Sequence, residues 1–154
     1  MPREPEDPVV YIIDADASVL QALARLVRAS GFDVRAFATI EELLEQGPYS
    51  AAGCILLDIT TPSARTAGLR AELYERGVDL PLIALSARHD APARRWARTI
   101  GSQLFLGKPV DDQALLDAIE WVIEPNPQGT QRRRWSALSP DQIYRRHLRH
   151  RRPR

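Results

Sequence analysis

The stretch VVYIIDADASVLQALARLV, residues 9–27, carries the pattern that decides the fold. Its first five residues are β-branched or aromatic with no polar interruption, which is typical of a strand buried on both faces of a parallel sheet. Its later apolar residues recur on one helical face, and Gly31 ends that helix. The stretch therefore predicts one βα unit, with Asp14 and Asp16 in the connection.

Four further segments repeat this alternation of strand and helix. Strands are predicted over residues 9–13, 33–37, 54–58, 81–86 and 103–109, and helices over 19–27, 40–46, 69–77, 92–100 and 111–123. Thr39 and Glu42 have the spacing of a capping box at the start of the second helix. Such alternation specifies a parallel sheet with helices on both faces, and right-handed crossovers make it doubly wound. We therefore expect an α/β fold of five βα units over residues 8–124.

Charge divides the chain of 154 residues into two regions. The net charge is +1, but nine arginines and one aspartate from residue 125 onward contribute +8, which leaves −7 on the first 124 residues. An acidic body followed by a basic segment indicates two regions with separate roles. Residues 125–154 are expected to be an arginine-rich linker and tail, either disordered or forming one short helix.

Cysteine content and hydropathy exclude several classes of protein. Cys54 is the only cysteine, so no intramolecular disulfide is possible, and its place within the apolar run CILLD predicts a small buried side chain rather than a catalytic thiol. No run reaches the roughly 20 apolar residues that a membrane span needs. The N-terminus also lacks the pattern of a signal peptide. We expect a cytoplasmic protein with no membrane partner.

Polar side chains follow four of the predicted strands. Asp14 comes after the first strand, Asp58 ends the third, Ser86 ends the fourth and Lys108 follows the fifth. Any one of them alone is typical of a solvated loop or a helix cap. In an open α/β sheet, however, ligands bind at the carboxyl ends of the strands. The four together therefore predict a site at one edge of the sheet.

Four segments of the chain resemble a response-regulator receiver domain, which has the CheY-like variant of the flavodoxin-like fold. They are VYIIDADASV, CILLDITTP, LIALSA and LFLGKPVDD, and they are most similar to the FixJ-type receivers. The resemblance covers residues 8–124. It implies a single-domain response regulator of a two-component phosphorelay, with a histidine kinase as its phosphodonor and no enzymatic turnover of its own.

The resemblance also implies a role for each residue at the strand ends. Asp58 would be the phospho-acceptor, and Lys108 would pair with the phosphoryl oxygens. Ser86 would move to bond the new phosphate, and Phe105 would be the aromatic switch residue. The Lys108–Pro109 peptide bond is expected to be cis.

The resemblance implies a magnesium site as well, but the sequence departs from the family there. Asp14, Asp58 and the backbone carbonyl of Thr60 would bind Mg²⁺, which proteins hold by one or two carboxylates with water and phosphate. Ala15 stands where receivers usually have the acid that touches the metal directly. Asp16 is better placed to cap the first helix than to replace that acid. We therefore expect weak Mg²⁺ binding.

A second departure lies in the segment TTPSARTAGL, residues 60–69. Thr66 stands where the family has a glycine that tolerates positive φ, and a β-branched residue does not. We expect this loop to be remodelled. Two functions remain open: a receiver that is still phosphorylated despite weak metal binding, and a pseudo-receiver that serves as a phosphorylation-independent interaction module.

The tail leaves a third function open. FixJ-type regulators continue into a helix-turn-helix, but the 16 residues after Leu138 are too few for its packed helices. A complete output domain is therefore not expected. The tail would be a solvated segment, a segment that folds back on the acidic body, or a non-specific nucleic-acid contact. The arginines available for that contact are Arg132, Arg133, Arg134, Arg145 and Arg146.

Overall fold

The computed structural model describes residues 7–123 as five strands, each followed by a helix. The strands are β1 (Val9–Ile13), β2 (Asp33–Phe37), β3 (Gly53–Asp58), β4 (Leu82–Ser86) and β5 (Leu104–Gly107). The helices are α1 (Ala17–Ala29), α2 (Ile40–Glu45), α3 (Ala64–Glu75), α4 (Ala91–Thr99) and α5 (Asp112–Ile123). The predicted fold of five βα units is confirmed.

The sheet has the strand order β2-β1-β3-β4-β5, and all neighbouring strands are parallel. The order turns back at the β1–β3 boundary, which is where open α/β sheets bind ligands. Ile13 of β1 lies opposite Leu57 of β3, so that Asp14 and Asp58 are the next residues in register. The register of the sheet therefore brings two carboxylates side by side at its carboxyl edge.

Two apolar layers cover the sheet. Alternate residues of β3 point to opposite layers: Ile55 and Leu57 pack with α2, α3 and α4, while Cys54 and Leu56 pack with α1 and α5. Cys54 is fully buried, and this burial raises the pKa of its thiol. The prediction that Cys54 is a small core residue is confirmed.

The segment before the third helix differs from its prediction. α3 begins at Ala64 rather than at Leu69, because the hydroxyl of Ser63 accepts a hydrogen bond from the backbone N–H of Thr66 (3.1 Å) and caps the helix. Thr66 is buried inside the first turn of α3. No residue other than glycine has positive φ in the described part of the chain. The remodelled loop is therefore a longer helix, and the strain expected at Thr66 does not arise.

Of the two predicted helix caps, the cap at Asp16 forms as predicted and the capping box of Thr39 and Glu42 forms in part. The carboxylate of Asp16 accepts hydrogen bonds from the N–H groups of the first turn of α1, so its prediction as an N-cap is confirmed. The hydroxyl of Thr39 accepts from the N–H of Glu42 (3.2 Å). The carboxylate of Glu42, however, accepts from the N–H of Ala38 and not from that of Thr39. The reciprocal half of the capping box is thus displaced by one residue.

Two further predictions concern membranes and the tail. Across residues 7–123, no helix combines the length and the hydropathy that crossing a membrane requires. The arginine-rich tail lies outside the described residues, so its form and its nucleic-acid contacts stay predictions.

Candidate functional site

Backbone hydrogen bonds continue past the strand ends and place the first residue of each following loop. The N–H of Asp14 donates to the carbonyl of Phe37 (3.1 Å), and the N–H of Lys108 donates to the carbonyl of Ser86 (2.7 Å). Asp14 and Lys108 are therefore fixed by the sheet although they lie outside its strands. The Lys108–Pro109 peptide bond is cis, as predicted.

Asp14 and Lys108 form an ion pair at this edge. The ammonium of Lys108 lies 2.5 Å from Oδ2 of Asp14, and the two side chains are 15% and 1% exposed. Oδ1 of Asp14 accepts a hydrogen bond from the N–H of Asp16 (2.9 Å). Both oxygens of this buried carboxylate are thus occupied, and Lys108 supplies the charge that its burial requires.

Asp58 lies beside this pair, and its two carboxylate oxygens have different surroundings. Oδ1 is 3.4 Å from the ammonium of Lys108 and accepts two hydrogen bonds from Thr60, one from its N–H (3.1 Å) and one from its hydroxyl (2.6 Å). No hydrogen bond from residues 7–123 reaches Oδ2. The side chain is 22% exposed, so the carboxylate presents one unoccupied oxygen from a partly open site.

The side chain of Thr60 is a site residue that the sequence reasoning missed, because only its backbone carbonyl was expected there. Its hydroxyl also accepts a hydrogen bond from the N–H of Ala87 (3.1 Å), the first residue after β4. A polar β-branched residue two positions after a strand-end acid is the only sequence signal for this contact. It is too common a pattern to have been informative alone.

Ser86 and Phe105 lie on the neighbouring strands β4 and β5. Ser86 is fully buried, and its hydroxyl accepts a hydrogen bond from the N–H of Arg88 (3.0 Å). Phe105 is 8% exposed and packs against α4 in the layer that contains Trp96. Its ring also lines a cavity of about 330 Å³ between the loop after β4 and the start of α5. Phe105 therefore borders this cavity, and the switch roles of Ser86 and Phe105 stay predictions.

The ring of His89 covers one side of that cavity. It shares a hydrogen bond of 2.9 Å with the carbonyl of Lys108. A Cβ atom at Gly107 would lie 2.6 Å from the ring of His89, so the absence of a side chain at position 107 makes room for it. His89 thus joins the loop after β4 to the loop that carries Lys108.

The donors available for a metal ion are few. Ala15 is exposed and contributes none, and no group of three or more His, Cys, Asp or Glu side chains within the described residues is placed to hold an ion. The remaining oxygen donors are Asp14, Asp58 and the carbonyl of Thr60. Two carboxylates meet the minimum for Mg²⁺, which completes its shell with water and phosphate. The residues therefore meet the minimum for this ion, and the weak binding expected from Ala15 stays a prediction.

Comparison with known proteins identifies relatives with the same segments. Residues 10–120 match the family model of the response regulator receiver domain. The chain is 35% identical over 120 residues to the response regulator protein TodT of Pseudomonas putida. The aligned residues make up 78% of this chain and 53% of that protein. It is 33% identical over 115 residues to the transcriptional regulatory protein FixJ of Azorhizobium caulinodans, and the aligned residues make up 75% of this chain and 54% of that protein. The chain spans about half the length of the curated relatives it matches.

Solved structures of response regulators are also similar to this chain. The response regulator StyR is similar with a TM-score of 0.66 and 32% identity, over 91% of this chain and 69% of that one. The structure of FixJ-N is similar with a TM-score of 0.63 and 27% identity, and the match covers 75% of this chain and 92% of that one. The fold, the polar residues at the strand ends and the similar proteins all indicate the same family. The chain belongs to the response regulator receiver domain family.

Proposed function

We propose that this chain is a cytoplasmic phospho-acceptor of a two-component system, in which Asp58 receives a phosphoryl group from a histidine kinase. Response regulators in general are phosphorylated by such kinases, and receiver domains in general are not enzymes with turnover of their own. The proposal assigns the receiver to residues 8–124 and leaves the arginine-rich tail a separate role.

One observation carries the proposal: Oδ1 of Asp58 accepts two hydrogen bonds from Thr60 and lies 3.4 Å from the ammonium of Lys108, while no hydrogen bond from residues 7–123 reaches Oδ2. A carboxylate in this arrangement is oriented for attack by Oδ2. The attack forms a phosphorus–oxygen bond on Asp58 while the phosphorus–nitrogen bond of the donor phosphohistidine breaks. The electron pair of that bond returns to the imidazole, which takes a proton from solvent.

Lys108 and Mg²⁺ would share the task of offsetting charge during this transfer. Phosphoryl transfer needs positioning and cations on the transferring oxygens more than it needs covalent chemistry. The ammonium of Lys108, 3.4 Å from Asp58, is a compact charge suited to that purpose. Asp14, Asp58 and the carbonyl of Thr60 would hold the metal, whose added positive charge would favour the same step. Ala15 supports a weak metal affinity, because it provides no carboxylate.

Ser86 and Phe105 would convert phosphorylation into a change of surface. A phosphoryl group brings three acceptor oxygens, and a hydroxyl donates a strong charge-assisted bond to such an oxygen. Ser86 would therefore turn toward phosphorylated Asp58. Phe105 packs beside α4, so a shift of the loop after β4 would reach its ring.

A pseudo-receiver is the second candidate, and the Asp14–Lys108 ion pair favours it. Because Lys108 already satisfies the buried acid, Asp14 needs neither metal nor phosphate to offset its charge. The domain would then act as an interaction module independent of phosphorylation. Phosphorylation remains the better proposal, and it is supported by the positions of Asp58, Ser86 and Lys108 at the carboxyl ends of neighbouring strands.

Labelling by a small phosphodonor separates the two. The wild type incubated with acetyl phosphate and Mg²⁺ should gain one phosphoryl group by intact mass, and Asp58→Asn should gain none. Asp16→Asn is the matched control, because it removes a nearby carboxylate while asparagine caps a helix equally well. An Asp58→Asn variant that labels as well as the wild type contradicts the assignment, and a wild type that never labels supports the pseudo-receiver.

A further inference from the structure

A single oxygen atom connects Asp58 to the loop after β4. The hydroxyl of Thr60 lies 2.6 Å from Oδ1 of Asp58 and 3.1 Å from the backbone nitrogen of Ala87. A backbone N–H only donates and a carboxylate only accepts. The hydroxyl therefore accepts from Ala87 and donates to Asp58, so its hydrogen-bonding directions are fixed on both sides.

The two hydroxyls at this edge divide the N–H groups of the loop between them. Thr60 holds the N–H of Ala87, and Ser86 holds the N–H of Arg88. Ala87 and Arg88 are exposed residues that follow the buried end of β4 directly. One hydroxyl from β4 itself and one from the neighbouring strand end therefore help to position this loop, beside the contact of His89 with Lys108.

We propose that Thr60 is a positioning residue of the phosphotransfer site. Its hydroxyl holds Oδ1 of Asp58, which leaves Oδ2 as the oxygen that faces the donor. The same hydroxyl ties the loop of Ala87 to the unphosphorylated carboxylate. This inference rests on the proposed function, because it names a residue that prepares Asp58 for the transfer.

Phosphorylation would change both contacts of the Thr60 hydroxyl. Phosphoryl oxygens are charged and accept stronger hydrogen bonds than a neutral hydroxyl does. A phosphoryl group on Asp58 would bring such oxygens to a carboxylate that the Thr60 hydroxyl already links to the N–H of Ala87. The loop would then exchange a bond to Thr60 for a bond to the phosphoryl group, which gives Thr60 a part in setting the resting state.

The backbone contact of Thr60 is separate from the contact of its side chain. The N–H of Thr60 donates to Oδ1 of Asp58, two residues earlier, and this turn needs no particular side chain at position 60. Thr60→Val removes the hydroxyl and keeps the β-branched shape, so the turn and the fold should persist. Thr60→Ser keeps the hydroxyl and should behave as the wild type. Thr61→Val makes the same chemical change at the neighbouring exposed threonine and is the control.

The first measurement needs no phosphorylation. Amide hydrogen exchange of Ala87, followed by NMR in the unphosphorylated protein, should be roughly two- to tenfold faster in Thr60→Val, the change expected for one lost hydrogen bond. Thr60→Ser and Thr61→Val should exchange at the wild-type rate. Equal exchange at Ala87 in Thr60→Val and the wild type overturns the inference, because the hydroxyl would then not hold the loop.

The second measurement tests the effect on phosphotransfer. The rate of labelling by acetyl phosphate should fall by about two- to tenfold in Thr60→Val and recover in Thr60→Ser. Faster exchange at Ala87 with an unchanged labelling rate refutes the positioning of Asp58. A wild type that does not label, together with faster exchange in Thr60→Val, refutes the proposed function and leaves the hold on the loop supported. The two failures are therefore distinguishable.

Discussion

Replacing Lys108 by methionine tests how the site balances its charges. The side chain of Asp14 is 1% exposed, and Lys108 is the cation that reaches it. Methionine has a similar length and no charge, so the substitution leaves the buried carboxylate with one hydrogen bond, from the N–H of Asp16. It also removes the positive charge that lies between Asp14 and Asp58.

The size of the effect follows from the burial of the two partners. Removing one partner of a buried ion pair costs roughly 3–5 kcal/mol, because the other charge is left uncompensated. Lys108 is 15% exposed and Asp14 keeps the bond from Asp16, which places the loss at the lower end of that range. We expect the free energy of unfolding to fall by about 3 kcal/mol in Lys108→Met. This is a large share of the roughly 5–15 kcal/mol that stabilises an ordinary domain.

Urea denaturation at 25 °C, followed by tryptophan fluorescence, measures this loss. With a denaturant dependence of about 2 kcal/mol per molar urea, the midpoint should move down by about 1.5 M. The double variant Asp14→Asn with Lys108→Met is the control. It should recover most of the loss, because replacing both partners removes the unpaired charge. A single variant as stable as the wild type, or a double variant no more stable than the single one, would refute the reasoning.

Four further predictions follow from particular positions. Ala15→Asp should tighten Mg²⁺ binding in calorimetric titration and lower the stability of the metal-free protein, because a third carboxylate then repels the other two; identical titration curves would contradict this. Gly53→Ala should prevent stable folding, since φ there is +136° and a Cβ would lie 1.9 Å from the carbonyl oxygen of Val9. Gly31→Ala is the comparison: its Cβ meets no atom within 4 Å, so the free energy of unfolding in circular-dichroism melts should fall by only about 1–2 kcal/mol. The thiol of Cys54 should resist alkylation at pH 8.5, where a free cysteine with a pKa of about 8.5 is half ionised, because burial raises its pKa; it should react at once in denaturant. A chain ending at Glu124 should keep its cooperative melt within about 0.5 kcal/mol and lose any binding to duplex DNA, and full-length binding should weaken with salt by a log–log slope of about −0.9 per phosphate contacted.

The positions of β1 and β3 were predictable because a strand that is buried on both faces is a continuous run of apolar residues in the sequence. β1 matches its prediction residue for residue, and β3 differs by one position, since both are continuous apolar runs. The start of α3 was not predictable in the same way. Its first turn buries a threonine rather than an aliphatic residue, so Thr66 interrupts the apolar periodicity that marks a helix. The cap at Ser63 was the remaining signal.

The residues of the site were predictable from their places at strand ends, but their bonds were not. Strand order alone brings Asp14, Asp58, Ser86 and Lys108 to one edge, and the fold determines that order. Which of the two acids the lysine neutralises depends on side-chain reach across the sheet. The hydroxyl of Thr60 bonds two chain segments that are 27 residues apart, and no local pattern records such a contact.

The long sequence separation between Asp14 and Lys108 has a consequence for biosynthesis. The two residues are 94 positions apart, and Lys108 follows β5, which is an edge of the sheet and the last strand within residues 7–123. Chains fold from the N-terminus as they are made, so a nascent chain has Asp14 and Asp58 well before it has Lys108. A chain that ends before Lys108 is then unable to form the ion pair with Asp14. The ion pair at this edge of the sheet therefore forms only in molecules whose synthesis has passed Lys108.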